Sequence, residues 1–407
     1  MLSAPPRPMI LAMLLLRRCL CPSPRRSAGL LGILLAALVA VATPALWVAP
    51  ASFYLLLADV PGAPAGPIAQ LLGPPAIRHW RFAGAEGAVD ADVYAPRSGG
   101  AHPTLLIVNG ALSAGRKYAP LAQFGAALAQ SGYTAIIPDY PDLLQEVLSP
   151  ASLQDVEYTL QHLHTVPGVD GGRLEVVGFC VGATLGLLAA EAPRMPSLRG
   201  VVALSGYVSS LDMIQIITTG TYTQHGAIVQ YAPDPWVVAA VARSLVKGLP
   251  DVADRAAFAP LLIDPPPDHY VAPDWTKAPV GHLSAGGQAL LALLKNRDPA
   301  RVAPLMAALP PPLPVQLAAL SPLNGVAHLQ TPVFIVADRQ DAYIPNVESL
   351  KLQEAAPTLV HVTYVSLLAH VEPAIQGRGN PLATAWDVAG GAWQLFRAID
   401  RTLAVLR

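Results

Sequence analysis

The sequence predicts an α/β protein: a mostly parallel sheet with helices on both faces, interrupted by a helical cap insertion. Three observations predict it. Short, β-branched apolar runs alternate with stretches of helical periodicity, the pattern of a sheet covered on both sides. That alternation stops near residue 205 and resumes near residue 332, with proline-punctuated helical pieces between. A glycine-flanked turn, Gly178-Phe179-Cys180-Val181-Gly182, joins a buried strand directly to a helix.

Residues 1–27 form a basic leader carrying Arg17, Arg18, Arg25 and Arg26. Residues 28–58 hold no charged side chain and are predicted to be a transmembrane anchor, since about 20 apolar residues cross a hydrocarbon core. The alternative is a signal segment cleaved near Ala40-Val41-Ala42. The arginines precede the apolar stretch, so its leading end is expected in the cytoplasm. Either way the globular part is expected outside the cytoplasm, membrane-anchored or released after cleavage.

A Pro/Gly/Ala linker occupies residues 59–75, and residues 76–205 form the first part of the core. A short, partly alternating strand reads at 91–94. Residues 104–108 are continuously apolar and end at Asn109-Gly110, as expected of a strand buried on both faces. Helical spacing follows over 118–130 and closes at Gly132. Residues 134–137 are the next buried strand, 155–163 a helix with an acidic first turn, and 174–177 a strand running into Gly178. A helix is expected over 181–190 and a strand over 201–204. The cap, residues 206–320, contains helical pieces at 236–247, 288–294 and 301–308 and no clear strand. Residues 321–407 complete the core with strands at 332–337 and 359–365 and a closing helix over 383–406.

Charge is sparse and balanced, at 26 Lys plus Arg against 27 Asp plus Glu, which supplies no basic field for nucleic acid. The 42 prolines cluster at 264–279 and 309–314 and read as stiff loops between periodic segments. Of three cysteines, Cys19 and Cys21 lie in the leader and Cys180 is alone thereafter, which excludes a disulfide framework for the globular part. No metal or cofactor is expected.

The turn around Cys180 carries the chemistry. Small residues at Gly178 and Gly182 let a nucleophile adopt a strained conformation above the carboxyl edge of the sheet. A lone cysteine is ordinarily a small buried hydrophobe, but a strand, Gly-x-Cys-x-Gly and a helix in succession favour a nucleophile. The N–H of Val181, at the helix start, can donate to a developing oxyanion. A second donor is expected after the strand at 104–108, at Ala111. In a strand–nucleophile–helix arrangement of this kind the acid and then the histidine follow in the chain. His370, just beyond the last strand, is the expected base; the other histidines fall in earlier helices, strands or the cap. Asp341 is the expected acid, with Asp338 and Asp212 as alternatives.

From about Trp80 to the end, excluding the cap, the chain resembles the α/β-hydrolase superfamily and, within it, the dienelactone hydrolase family, marked by cysteine in the elbow. The elbow Gly178-Phe179-Cys180-Val181-Gly182, the run from Asp341 to Pro345 and the late His370 carry this resemblance. It implies cleavage of an ester, lactone or thioester through a Cys-His-Asp triad and an acyl-enzyme. Three departures stand out. Ala183 replaces a second glycine, the cap and membrane segment are additions, and no basic residue occurs over 371–376 to hold a substrate carboxylate. The expected partner is therefore a small apolar ester or lactone, besides the membrane. A non-catalytic ligand-binding homologue and an acyltransferase using the same triad are the alternatives. Ile214, Ile216, Trp236 and Val237 are expected to give the cap a lipophilic lining.

Overall fold

The structure, a computed structural model, describes residues 73–262, 271–366, 368–373 and 381–406. The basic leader, the apolar segment 28–58 and residues 59–72 of the linker lie outside the described residues. Among the described residues no single helix is long and apolar enough to cross a membrane.

The chain enters on a hairpin of β1 (Ala76–Ala83) and β2 (Ala88–Ala95), then β3 (His102–Val108), α1 (Ala119–Gln130) and β4 (Thr134–Asp139). There follow α2 (Pro150–His162), β5 (Val169–Phe179), α3 (Val181–Glu191) and β6 (Leu198–Leu204). Helix α2 starts five residues before its acidic turn. Pro150 fits the first helical position, and Ser149 caps it by accepting the Ala151 N–H at 3.1 Å.

The long excursion after β6 comprises α4 (Ser210–Thr219), a small ladder of β7 (Thr221–Gln224) and β8 (Ala227–Gln230), α5 (Pro235–Lys247) and α6 (Val252–Phe258). It continues through α7 (Ala285–Leu294), α8 (Val302–Ala307) and α9 (Pro312–Ala319). The β7–β8 ladder corrects the expectation of an insertion without strands. His225 and Gly226 at its turn both have positive φ, 48° and 81°, the requirement of a tight two-residue hairpin. The two ends of the excursion are laced together, Ser210 N–H donating to Ser321 Oγ at 3.0 Å and Ser210 Oγ–H to the Leu320 carbonyl at 3.2 Å. Alternation then resumes with β9 (Val333–Ala337), α10 (Val347–Ala355) and β10 (Val360–Tyr364). A two-rung ladder of β11 (Leu368–Ala369) and β12 (Glu372–Pro373) precedes the closing helix α11 (Pro381–Ala404).

The eight-stranded sheet runs β1-β2-β4-β3-β5-β6-β9-β10. Only the β1–β2 and β2–β4 pairings are antiparallel. Alternate residues of the central strands enter opposite cores. Leu106, Val108 and Val176 pack with Val156 and Leu160 of α2 and Leu185 of α3. Leu105, Ile107 and Val177 pack with Leu121 and Leu128 of α1 and Leu403 of α11. Burial on both faces explains why these strands read as unbroken apolar runs. A third core, built around Phe258, Leu290 and Leu293, lies within the cap. This order, with a strand-to-helix elbow after β5 and the cap after β6, is the α/β-hydrolase fold.

Candidate active site

Strand β5 pairs with β3 up to Gly178 and with β6 up to Phe179, so Cys180 leaves the sheet between two parallel neighbours. Its backbone has φ 53° and ψ −125°, a left-handed conformation that costs a residue with a Cβ about 1–3 kcal/mol. The surroundings hold it there. Its N–H donates to the Leu204 carbonyl at 2.8 Å, and its carbonyl accepts from Ala183 at 3.0 Å. The flanking glycines allow the close approach: a Cβ at Gly178 would stand 2.4 Å from Ala183 Cα, and one at Gly182 2.2 Å from the Val108 carbonyl oxygen. Ala183, where a second glycine was expected, packs its Cβ towards Gly206, where any side chain would come within 2.7 Å of it.

His370 sits at the turn of the β11–β12 ladder, also left-handed, with φ 58°. Its Nδ1 lies 2.8 Å from Asp341 Oδ2. Asp341 follows β9, and its other oxygen accepts the N–H groups of Tyr343 at 2.8 Å and Ile344 at 3.0 Å. The carboxylate is thus fixed through both oxygens. Of the alternative acids, Asp338 accepts the Gln340 N–H at 3.0 Å within its own turn, and Asp212 is paired with Lys351 at 2.6 Å. Neither makes the bond to His370.

Burial alone would lower the pKa of His370. Coulombic attraction to Cys180 and the hydrogen bond to Asp341 outweigh it and push the imidazole up to about 10. The pull of Cys180 on the ring is chiefly electrostatic. Nε2 is buried and makes no hydrogen bond of regular geometry.

Three further residues fix this pair, and the sequence alone did not single them out for it. Ser205, left-handed with φ 50° at the end of β6, donates its hydroxyl to the His370 carbonyl at 3.1 Å. Tyr343 stacks on the imidazole, ring centroids 4.6 Å apart and planes 14° off parallel, which favours the cationic ring. Tyr231, from the cap, donates its hydroxyl to the Asp341 carbonyl at 2.8 Å.

The N–H groups of Ala111 and Val181 make no hydrogen bond among the described residues, and both residues line the cavity that reaches Cys180. Val181 opens α3, so its N–H belongs to the first turn, whose donors have no partner within the helix. The cavity measures about 390 Å3 and runs between the cap and the loop after β4. Ile214, Trp236 and Val237 line it as expected from the sequence, whereas Ile216 does not: it is fully buried in the cap's own core. No group of three or more His, Cys, Asp or Glu suited to a metal ion occurs among the described residues.

Residues 89–234 match the model of the dienelactone hydrolase family. The match takes in Ala111, Cys180 and Val181 and ends before Asp341 and His370. Over 128 residues the chain is 30% identical to a probable 2-oxo-3-(5-oxofuran-2-ylidene)propanoate lactonase of Bradyrhizobium sp, covering 27% of this chain. The chain spans about half of that relative, 52% of its length. Among solved structures it is similar to a Pyrobaculum calidifontis esterase, at 15% identity and a TM-score of 0.44, over 88% of this chain and 91% of that one. It is similar also to Pyrococcus horikoshii acylaminoacyl peptidase, at 13% identity and a TM-score of 0.44, over 81% of this chain and 41% of that one.

Proposed function

We propose that the protein hydrolyses a carboxylic ester, lactone or thioester through an acyl group carried on Cys180. The observation that carries this reading is the junction of a left-handed Cys180 with a His370–Asp341 pair and two unengaged N–H groups at one sheet edge. The Cys180 thiolate attacks the carbonyl carbon, and the carbonyl electrons move to oxygen. The N–H groups of Val181 and Ala111 hold that oxyanion. Its collapse breaks the bond to the leaving group, which takes a proton from His370 Nε2. Neutral His370 then removes a proton from water, the hydroxide displaces the thiolate, and the acid product leaves. Asp341 keeps the imidazole oriented and balances its charge throughout. Purified full-length protein is expected to turn over p-nitrophenyl esters with an initial burst of one nitrophenol per chain. Absence of turnover on esters, lactones and thioesters alike would leave a ligand-binding homologue.

The same reading places the reaction outside the cytoplasm, on a membrane anchor formed by residues 28–58, because the arginines lie on one side only of that uncharged stretch. Protease added to intact spheroplasts is expected to digest the catalytic domain. Full protection until the membrane is broken would contradict it.

A further inference from the structure

The cavity beneath the cap has a sidedness that identifies what it holds. Ala111, Cys180 and Val181 are among its walls, while His370 is not. A base that must protonate the leaving group has to face the leaving group. The part of the substrate that enters a cavity bounded by the oxyanion donors, away from the histidine, is therefore the acyl part. Much of the remaining lining is apolar: Met213 and Ile214 from α4, Val241 and Leu245 from α5, Leu313 and Leu317 from the segment of α9.

The charged residues of the lining do not suit an anion. Lys247 is the only basic residue lining the cavity among the described residues, and it is already paired with Asp142 and with Glu86, the latter at 3.5 Å. Glu86 and Glu146 also line the cavity, and Glu146 accepts from Trp236 Nε1 at 3.0 Å and from Arg243 at 2.5 Å. A substrate carboxylate would thus find no cation free to hold it, since the one lysine in the lining is taken and both glutamates are already paired. We propose that the cavity is the acyl subsite for an uncharged, medium-to-long aliphatic chain, so that the preferred substrates are neutral esters or thioesters of fatty acids. This rests on the hydrolase reading and adds the substrate class to it.

The test is a series of p-nitrophenyl esters from acetate to dodecanoate, with the full-length protein in mild detergent. The ratio kcat/KM is expected to rise about threefold per added methylene until the cavity is filled, at least a hundredfold in all. Val241→Trp, or the milder Ala240→Leu should the first fail to fold, is expected to lower the decanoate-to-acetate ratio at least tenfold. A p-nitrophenyl monoester of adipic acid should fall far below the hexanoate. A flat or falling length profile with measurable acetate turnover would overturn the acyl subsite and leave the hydrolase reading standing. Calorimetric titration with decanamide, which carries the chain without a charge, reads the same cavity without turnover. Saturable binding, absent with acetamide and weakened by Val241→Trp, supports the subsite even if no ester is cleaved, and no binding overturns it.

Discussion

Replacement of Cys180 by alanine is expected to lower turnover by at least about a thousandfold while leaving the fold intact. The side chain is small and 7% exposed, and the β-carbon that endures the left-handed backbone is retained, so the elbow keeps its strain and its packing. What is lost is the sulfur that the proposed mechanism uses to carry the acyl group. Cys180→Ser should keep a fraction of the activity, because a hydroxyl fits the site but is far harder to ionise than a thiol. Chromogenic ester hydrolysis gives the rates, and circular dichroism with thermal unfolding checks the fold. An alanine variant with more than a tenth of the parental rate would exclude Cys180 as nucleophile.

The second large effect is expected from Asp341→Asn. Asn keeps an oxygen for the N–H groups of Tyr343 and Ile344 but turns an NH2 towards His370 Nδ1, where Asp341 now accepts. The imidazole must then carry its proton on Nε2, the nitrogen needed as base, and kcat should fall about a thousandfold to ten-thousandfold. The pH dependence separates this from a packing defect. With His370 raised from 6.5 to about 10, the stabilising imidazolium is fully present below about 6.5 and is lost as pH rises through about 10. Removing the carboxylate takes away one of the groups holding that value up, so the loss moves to lower pH. Iodoacetamide alkylation of Cys180 followed across pH 6–11 is expected to show the shift. An unchanged alkylation profile and an unchanged kcat would remove Asp341 from the mechanism.

The parts of this account legible in the sequence are those where backbone burial or sterics leave one choice. The strands flanking the elbow are buried on both faces and read as apolar runs, and the glycines at 178 and 182 answer to contacts of 2.4 and 2.2 Å that no side chain could occupy. Strand β1 escaped notice because it lies at an edge with most side chains exposed, so its sequence, AIRHWRFA, lacks clean alternation. Helix α10 escaped because its face is not apolar: fully buried Glu348 accepts the N–H groups of Val208 and Ser209, both at 2.9 Å, and secures the entry to the cap. The β7–β8 ladder did leave a signal, in Thr221, Tyr222 and Thr223 ahead of Gly226. At the site, Cys180 and His370 follow from motif and chain order. Choosing Asp341 over Asp338 needs the turn geometry that aims one carboxylate at the imidazole and folds the other onto its own backbone. Ser205 acts through a backbone carbonyl 165 residues away, a contact with no local pattern to betray it.

The central claim, that Cys180 carries the acyl group, is tested most directly by trapping the intermediate. Full-length protein mixed with excess p-nitrophenyl decanoate and quenched in acid within its first turnovers is digested and read by mass spectrometry. The account predicts one decanoyl group per chain, on the peptide containing Cys180, absent in Cys180→Ala and persisting longer in His370→Ala if that variant is acylated at all. Steady hydrolysis with no adduct on that peptide, or with the acyl group on another residue, would contradict it.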